Sequence, residues 1–271
     1  MELKQRIGID LGRKIRLEDG IEWAATNDVR FIDCELDVAP NSVLSFDDAR
    51  SNAVRGALER HGIELGLHTL SAVNVAEYSP FVGEAVDHYL KAYVDAARRL
   101  GAGWVVVHGG YHFTGDYKAR VAAAIERLKR TVAYAEARGV KLLLENLNKE
   151  PADAEVHYLC FDLEECRNFF GQISSPHLGW SFTVNHAHMV AGGIDGHIDG
   201  LDMSRLGEVR LADNRGDREE HLRIGEGNID FRRMFRRIEE AGYRGHYMNA
   251  FGSLDDMLKG RDVLAELART T

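Results

Sequence analysis

GWVVVHGG (residues 103–110) and KLLLENLN (residues 141–148) are apolar runs separated by RVAAAIERLKRTVAYAEARGV (residues 120–140), a segment with helical spacing. Runs this apolar are typical of parallel strands that are buried on both faces. The helical segment ends at Gly139, a residue type that often terminates helices. This part of the chain therefore predicts a strand, a helix and a second, parallel strand.

The same unit recurs along the whole chain. A second helical segment, VDHYLKAYVDAARRLGAG (86–103), places Tyr89, Tyr93, Ala96 and Leu100 on one stripe and is followed by Gly101 as a stop. FRRMFRRIEEAGYRG (231–245) has the same arrangement. The other apolar runs are RIGIDLG (6–12), RFIDCELD (30–37), ELGLHTL (64–70), HLGWSFTV (177–184), EVRLADN (208–214) and HYMNAF (246–251).

Eight strand–helix units at spacings of roughly 25–40 residues predict an α/β fold, a single (β/α)8 TIM barrel over residues 1–271. A doubly wound open sheet is the alternative, but it would carry a glycine-rich phosphate loop after the first strand. The segment IDLGRKIRL has no such loop. The chain has only four prolines and no Gly/Ser-rich linker, so no domain boundary is predicted.

Composition excludes several classes of protein. The net charge of −9 argues against a nucleic-acid partner, since binding phosphates needs clustered Lys and Arg. The basic runs ERLKR and RRMFRRIEE contain Glu and are interpreted as solvated helix faces. No apolar run is long enough to span a membrane, and the N-terminus lacks the features of a signal peptide. Cys34, Cys160 and Cys166 form no CxxC pair and are interpreted as reduced thiols, so a cytoplasmic protein is expected.

Polar residues collect where the predicted strands end, which in such barrels is the face that carries the active site. A strand has little reason to end in His or Glu unless that group is solvated, paired or used. The residues at these positions are Asp10, Glu35, His68, His108, Glu145, Asn146, Asn148, Asp213 and Asn249.

The segments GLHTL, VVVHGG, LLLEN, NHAH, LADN and above all HLRIGEGNIDF (221–231) occur in the order found in xylose-isomerase-like barrels, and the chain resembles that superfamily over nearly its whole length. The superfamily contains sugar isomerases and epimerases, inosose dehydratases and endonuclease IV. The resemblance implies a small carbohydrate-like substrate and allows a homo-oligomer.

In most sugar-active members, one divalent metal ion is held by Glu, Asp, His and Glu on strands five to eight. By resemblance, the corresponding residues here are Glu145, Thr183, Arg210 and Asn249. Thr and Asn are poor ligands and Arg cannot coordinate a metal ion. The usual metal site is therefore predicted to be lost.

Two other metal sites are implied by the resemblance. His68, His108 and Glu145 match positions that hold one zinc ion in endonuclease IV-type members, so one divalent ion, Zn or Mn, is a candidate cofactor. The alternative is that both histidines bind substrate hydroxyls or pack in the barrel. His186, Glu219 and His221 match the outlying metal position of the same enzyme. DNA cleavage itself is not expected, because the ligands of the central metal are the ones missing.

The predicted activity is proton abstraction next to a carbonyl of a polyhydroxylated substrate, by an isomerase or a dehydratase (lyase). Glu145 is assigned as the base, Arg210 as the electrophile in place of the metal, and His108 as the third catalytic residue. A two-base epimerisation is not expected, since Asn249 cannot act as a base. Substrate-binding positions are assigned to Glu35, His68, His186, Asp213, His221 and Asn249.

Three alternatives remain open. Arg210 could simply pair with Glu145 or Asp213 in an inactive site. The chain could be a non-catalytic sugar-binding or partner subunit that keeps the barrel. The segment NKEPADAEVHYLC (148–160) could cover the site or only connect elements. Asp213, His221 and Glu226 are expected to organise the loop after strand seven.

Overall fold

The chain forms a closed barrel of parallel strands. Seven of the eight predicted runs contain one barrel strand each, and the remaining run, 208–214, overlaps a strand that begins two residues earlier, at Leu206. The computed structural model describes residues 2–13 and 15–269. The barrel strands are β1 (Ile7–Asp10), β2 (Phe31–Cys34), β3 (Glu64–His68), β4 (Trp104–Val107), β6 (Leu142–Glu145), β8 (Leu178–Thr183), β9 (Leu206–Leu211) and β10 (His246–Asn249). Barrel strands that follow one another along the chain pair with one another, with a register shift between Trp180 and Ser181 where β8 meets β9, and β10 pairs with β1 to close the barrel. The predicted fold class is confirmed.

Two short strands outside the barrel were not predicted. These are β5 (Tyr111–Phe113) and β7 (Val156–Tyr158), which pair antiparallel. They follow the fourth and fifth barrel strands, and β7 lies inside the segment 148–160. This segment is therefore tied across the end of the barrel rather than being a plain connection.

Helices surround the barrel at the expected places. The helix predicted over 86–103 begins earlier, at a proline suited to a first helical turn, and ends before Gly101, whose φ is 72°. The helices are α1 (Leu3–Arg6), α2 (Leu17–Thr26), α3 (Asp48–His61), α4 (Pro80–Leu100), α5 (Tyr117–Glu136), α6 (Leu163–Gln172), α7 (Val184–His188), α8 (Gly193–Gly200), α9 (Phe231–Glu240) and α10 (Leu254–Arg269). None of these helices is long and apolar enough to cross a membrane.

Side chains alternate between the two faces of each strand, as the two-residue period of a strand requires. In β2, Ile32 and Cys34 belong to the core between strands and helices, whereas Phe31 and Asp33 lie on the inner face. The inner faces hold an apolar cluster in which Phe31 and Trp104 pack with Leu143 and Met248. Towards the carboxyl ends of the strands, the inward-facing side chains are charged instead of apolar. The candidate site lies beyond these charged side chains.

One sequence interpretation was wrong for a particular residue. Arg127, in the run ERLKR, is not on a solvated face but is only 4% exposed. Its guanidinium donates to Asp87 on α4 and to the carbonyl of Val75, so it fastens α5 to its neighbours. Cys34, Cys160 and Cys166 are buried free thiols, and Sγ of Cys160 lies 3.3 Å from Sγ of Cys166.

Candidate active site

Three side chains converge at the end of the barrel, from β3, from the residue after β4, and from β6. The Nε2 atoms of His68 and His108 lie 3.1 Å apart, and each is 3.2 Å from Oε2 of Glu145. Ligand atoms of a tetrahedral zinc site with bonds of about 2.0–2.1 Å lie about 3.3 Å apart. The triangle therefore has the dimensions of three zinc ligands.

A neighbouring hydroxyl fixes the proton of His108. The hydroxyl of Thr69 donates to the carbonyl of Val106 over 3.0 Å, so its oxygen is left to accept from Nδ1 of His108 over 3.2 Å. In the neutral ring, Nε2 of His108 then carries a lone pair and faces the Glu145 carboxylate. A lone pair on Nε2 of His108 and the carboxylate of Glu145 repel each other. A proton on the ring of His68, or a cation between the two Nε2 atoms and Oε2 of Glu145, is needed to make this arrangement favourable.

The charges of this cluster are strongly shifted. Burial and Arg210 oppose protonation of His68, but hydrogen bonds to Asp33 and Glu145 raise its pKa to about 10. Burial would raise the pKa of Glu145, but the two histidines hold it well below its usual range. Burial lowers the pKa of His108. The carboxylate of Glu145 is therefore a stable anion.

The other oxygen of Glu145 is also occupied. Thr183, at the position where the resemblance predicts a metal-binding Asp, donates its hydroxyl to Oε1 of Glu145 over 2.5 Å. Asn249 is buried and donates its amide to the carbonyl of Met257 on α10 over 2.6 Å. Asn249 thus faces α10 instead of the three converging side chains.

Arg210 lies inside the barrel and is only 2% exposed. Its guanidinium donates to Asp10 over 2.7 Å, to Asp33, and to Glu208 over 3.2 Å. The ion pairs considered from the sequence, with Glu145 or Asp213, are not the ones formed. The reason is the barrel geometry: an inward side chain of β9 reaches across to the inner faces of β1 and β2.

Asp10 and Asp33 differ in their protonation although both contact Arg210. Burial and the charge of Asp33 raise the pKa of Asp10 to about 7, against the effect of Arg210. Burial acts in the same direction on Asp33, but Arg210 and His68 lower its pKa to about 2. Burial also raises the pKa of Glu35. Asp10 is thus a carboxyl group that can exchange a proton near neutral pH.

A second group of potential ligands lies beside the first. His186 donates from Nδ1 to the carbonyl of Asn146 over 2.8 Å, which leaves its Nε2 free to face Glu219 at 3.6 Å. Nε2 of His221 lies 2.9 Å from Glu219. The structure therefore brings together His186, Glu219 and His221, as the sequence predicted.

Asp213 organises the loop after β9. Its carboxylate accepts from the backbone N–H groups of Gly225, Gly227 and Ile229 over 2.9–3.2 Å. A Cβ at Gly227 would lie 2.3 Å from Oδ1 of Asp213, which explains this glycine of the HLRIGEG segment. Glu226 is on the surface of the loop, 3.6 Å from Arg223. Asp213 holds the loop that carries His221.

The converging side chains line a cavity of about 210 Å³. Tyr158 of β7 forms part of its wall, so the segment 148–160 contributes to the site. The aromatic ring of Phe251 stacks on His221, with ring centroids 3.6 Å apart. The wall includes these predicted site residues: Glu35, His68, His108, Glu145, His186, Arg210 and His221.

Sequence reasoning missed Asp33, Glu208, Thr69 and Phe251. A pattern in the strands could have revealed two of them. Asp33 stands inside the apolar run FIDC, and Glu208 stands two residues before Arg210, on the same face of β9. Charged residues at inward positions of a buried strand indicate an internal ion-pair network. Thr69 and Phe251 carry no comparable pattern.

A closed (β/α)8 barrel with its polar cluster at the carboxyl ends of the strands defines a class of enzymes and enzyme-like proteins. Residues 21–267 match the model of the family described as xylose isomerase-like TIM barrel. The chain belongs to this family.

The chain is also similar to individual proteins. An uncharacterized protein of Methanocaldococcus jannaschii is 29% identical over 214 residues, which cover 77% of this chain and 71% of the relative. Among solved structures, a D-tagatose 3-epimerase-like protein superposes with a TM-score of 0.83 at 22% identity, covering 98% of this chain and 97% of the other. D-Psicose 3-epimerase from Clostridium cellulolyticum H10 gives a TM-score of 0.78 at 16% identity, with 98% of both chains covered. At these identities the solved structures show a shared fold.

Proposed function

We propose that the protein is an enzyme that moves a proton next to the carbonyl of a small sugar, as an isomerase or epimerase. One observation carries the proposal: Asp10, with a pKa of about 7, shares the wall of one cavity with His68, His108 and Glu145. A base is most effective when its pKa is close to the working pH. The sugar-epimerase names of structurally similar proteins agree with this chemistry.

The roles of Glu145 and Arg210 follow from their contacts. Glu145 was assigned as the base from the sequence, but its low pKa makes it a better anion than proton acceptor. Arg210 is already bound by three carboxylates, which supports a role in holding Asp10 rather than in binding substrate. We therefore assign proton abstraction to Asp10 and retain Glu145 as an alternative base.

In this proposal, Asp10 takes the proton from the carbon next to the carbonyl and leaves an enediolate. It then returns the proton to the neighbouring carbon, while a proton passes between the two oxygens with the help of His68 or His108. The product of these transfers is the aldose–ketose isomer. Because β1 and β6 are opposite each other in the barrel order, a substrate held between Asp10 and Glu145 would have one carboxyl group on each side, as a two-base epimerisation needs. Epimerisation was not expected from the sequence, and it enters the proposal because Asp10 can supply the second base that Asn249 cannot.

The residues present also fit one divalent cation. His68, His108 and Glu145 offer three converging atoms with zinc-like spacing, and the three carboxylates around one guanidinium leave a negative field beside them. A bound Zn or Mn ion would polarise the substrate carbonyl and stabilise the enediolate. The usual four-residue site is proposed to be lost, since Thr183, Arg210 and Asn249 are all engaged elsewhere.

The test is exchange of carbon-bound hydrogen in D2O, followed by NMR with D-tagatose, D-psicose, D-fructose and L-ribulose. We expect the wild type to exchange the proton next to the carbonyl of at least one sugar. Asp10→Asn should slow exchange by about 10²- to 10⁴-fold, the contribution of general acid–base catalysis. Asp217→Asn, at an exposed position of the loop after β9, is the control.

The outcomes separate the hypotheses. Exchange that survives in Asp10→Asn but is lost in Glu145→Gln would return the role of base to Glu145. Exchange unaffected by either change would refute both assignments. Sugar binding without exchange in the wild type would instead favour the non-catalytic sugar-binding barrel.

A further inference from the structure

A second cavity adjoins the first. It has a volume of about 730 Å³ and shares Asp10, Glu35 and Phe251 with the inner cavity of about 210 Å³. Cavities that bind small molecules usually measure about 300–1,000 Å³. The inner cavity is below this range, and the two together are within it. The shared walls make the outer cavity a continuation of the site.

The two cavities differ in the side chains that they offer to a ligand. Both have mixed polar and apolar walls, but His68, His108, Glu145 and His186 line the inner cavity and not the outer one, and their polar atoms match the hydroxyls of a sugar. Beside the polar side chains of Arg13 and Ser253, the outer cavity is lined by apolar side chains from the loop after β1 and from α10. These side chains are Leu11, Ile15, Leu254 and Met257. A flat apolar group would be buried between them and the ring of Phe251.

Phe251 occupies the junction in an unusual conformation. Its φ is 74°, and His221, on which it stacks, has a φ of 46°. Residues other than glycine rarely adopt this left-handed region, and when they do they cluster at functional sites. The stack places an aromatic face where the polar cavity meets the apolar one.

The charges at the junction indicate what the outer cavity can hold. Among the described residues at the junction, Arg13 lies 3.6 Å from Oε2 of Glu35, and Arg210 lies 2.7 Å from Oδ2 of Asp10. Both carboxylates therefore already have a cationic partner, and these two ion pairs leave no unpaired charge to attract an ionic group. A neutral group therefore fits better than a charged one.

We propose that the outer cavity is a second substrate subsite for a neutral, apolar-faced group attached to the sugar, such as the aglycone of an aryl glycoside. The inference rests on the proposed function, because it takes the inner cavity to hold the sugar. Since the glycosidic bond occupies the anomeric carbon, the carbonyl of such a substrate lies on another ring carbon. Proton transfer next to that carbonyl then inverts the neighbouring carbon or moves the carbonyl by one carbon, and does not interconvert an aldose and a ketose.

The test compares methyl and phenyl β-glycosides of glucose, galactose, mannose and xylose by isothermal titration calorimetry. We expect at least one phenyl glycoside to bind about tenfold or more tightly than its methyl counterpart, because the phenyl ring loses its contact with water. Leu254→Trp should fill the outer cavity, bring the phenyl glycoside to the affinity of the methyl one and leave methyl binding unchanged. Val263→Trp, at an exposed position of the same helix, should change neither affinity.

The comparison of the two glycosides in the wild type does not depend on the folding of any variant. Equal affinities for methyl and phenyl glycosides would overturn the subsite and leave the proposed function intact. A loss of both affinities in a folded Leu254→Trp protein would also overturn it, since the residue would then affect the sugar itself. Failure of every glycoside to bind would overturn the subsite, while D2O exchange with free sugars would still decide the proposed function.

Discussion

Asp10 and Asp33 are register partners on adjacent strands, with both carboxylates on the inner face of the barrel. Two anions so close together repel each other, which is one cause of the raised pKa of Asp10. Arg210 donates to both from β9. The positive charge of the Arg210 guanidinium thus stabilises two acidic residues inside the barrel. Of the two, only Asp33 keeps a low pKa.

Removing this guanidinium should destabilise the fold strongly. Arg210→Met removes the guanidinium charge that Asp10, Asp33 and Glu208 share, and breaking a buried ion pair costs about 3–5 kcal/mol. The contacts that remain, from Gly12 to Asp10, from His68 to Asp33 and from Ser181 to Glu208, do not replace this fixed charge. Urea unfolding at neutral pH would measure the loss. Arg215→Met is the matched control, because the side chain of Arg215 is 54% exposed and its partner Glu220 keeps a second cation, Arg218, at 3.6 Å. Pairs with an exposed arginine contribute only about 0–1 kcal/mol. Equal stability of the two variants would contradict the proposed importance of the network.

The triangle of His68, His108 and Glu145 should retain a divalent cation. Wild-type protein purified without chelator or affinity-tag metal is expected to contain about one zinc or manganese ion per chain, from a three-ligand site. His108→Ala should lose it, since the triangle then keeps two ligand atoms. Plasma mass spectrometry measures the content.

His88→Ala is the control for metal content, because His88 is an exposed residue of α4. Metal that persists in His108→Ala at the wild-type level would place the ion elsewhere, with His186, Glu219 and His221 as the next site to test. A metal-free wild type would remove the cation from the proposal and leave proton transfer to the protein groups alone.

The sequence was sufficient to predict the barrel and to place His68, His108 and Glu145 at one face of it, since apolar runs define parallel strands and their carboxyl ends meet at one face. That these three residues form one group was implied by the resemblance to xylose-isomerase-like barrels, and the structure brings them together. The partners of Arg210 were not predicted. Strand periodicity places a residue inside the barrel, but which residues a long side chain reaches depends on the closed geometry.

Loop residues were the least predictable part of the site. Phe251 reaches the cavity only because the backbone after β10 turns through a left-handed conformation, and no residue type in that segment indicates it. Tyr158 reaches the cavity through the pairing of β5 with β7. These strands have three residues each, too short for alternation to distinguish them from a loop.

A partly buried ion pair between α2 and α3 should make the stability of the fold depend on pH in the acidic range. Arg50 donates to both carboxylate oxygens of Glu18 over 2.8 and 3.0 Å, and this contact lowers the pKa of Glu18 to about 2 from 4.5. A pKa that is depressed in the folded state adds stability above about pH 4.5, and that stability is lost as the pH falls towards 2. Glu18→Gln should therefore cost about 1 kcal/mol at pH 7, a value reduced by partial exposure of the pair.

The pH dependence distinguishes this ion pair from a simple packing effect. The difference in unfolding free energy between wild type and Glu18→Gln should shrink between pH 4.5 and pH 2, measured by urea unfolding at several pH values. Asp19→Asn, in the same helical turn but exposed, should show no such difference. A difference that stays constant over this range would mean that the charge of Glu18 is not its cause.

The last prediction concerns the loop that carries His221. Asp213→Ala removes the acceptor of three backbone N–H groups, at Gly225, Gly227 and Ile229. Hydrogen bonds to a charged group contribute about 1.5–3 kcal/mol each, so losing them should speed amide exchange of these residues by about tenfold or more. Hydrogen-exchange mass spectrometry of peptides covering 214–230 measures the change.

The control for the loop is Asp217→Ala, a change at an exposed residue of the same loop, which should leave amide exchange unaltered. If both variants exchange at the wild-type rate, the loop is held by contacts other than Asp213, and the position of His221 does not depend on this carboxylate.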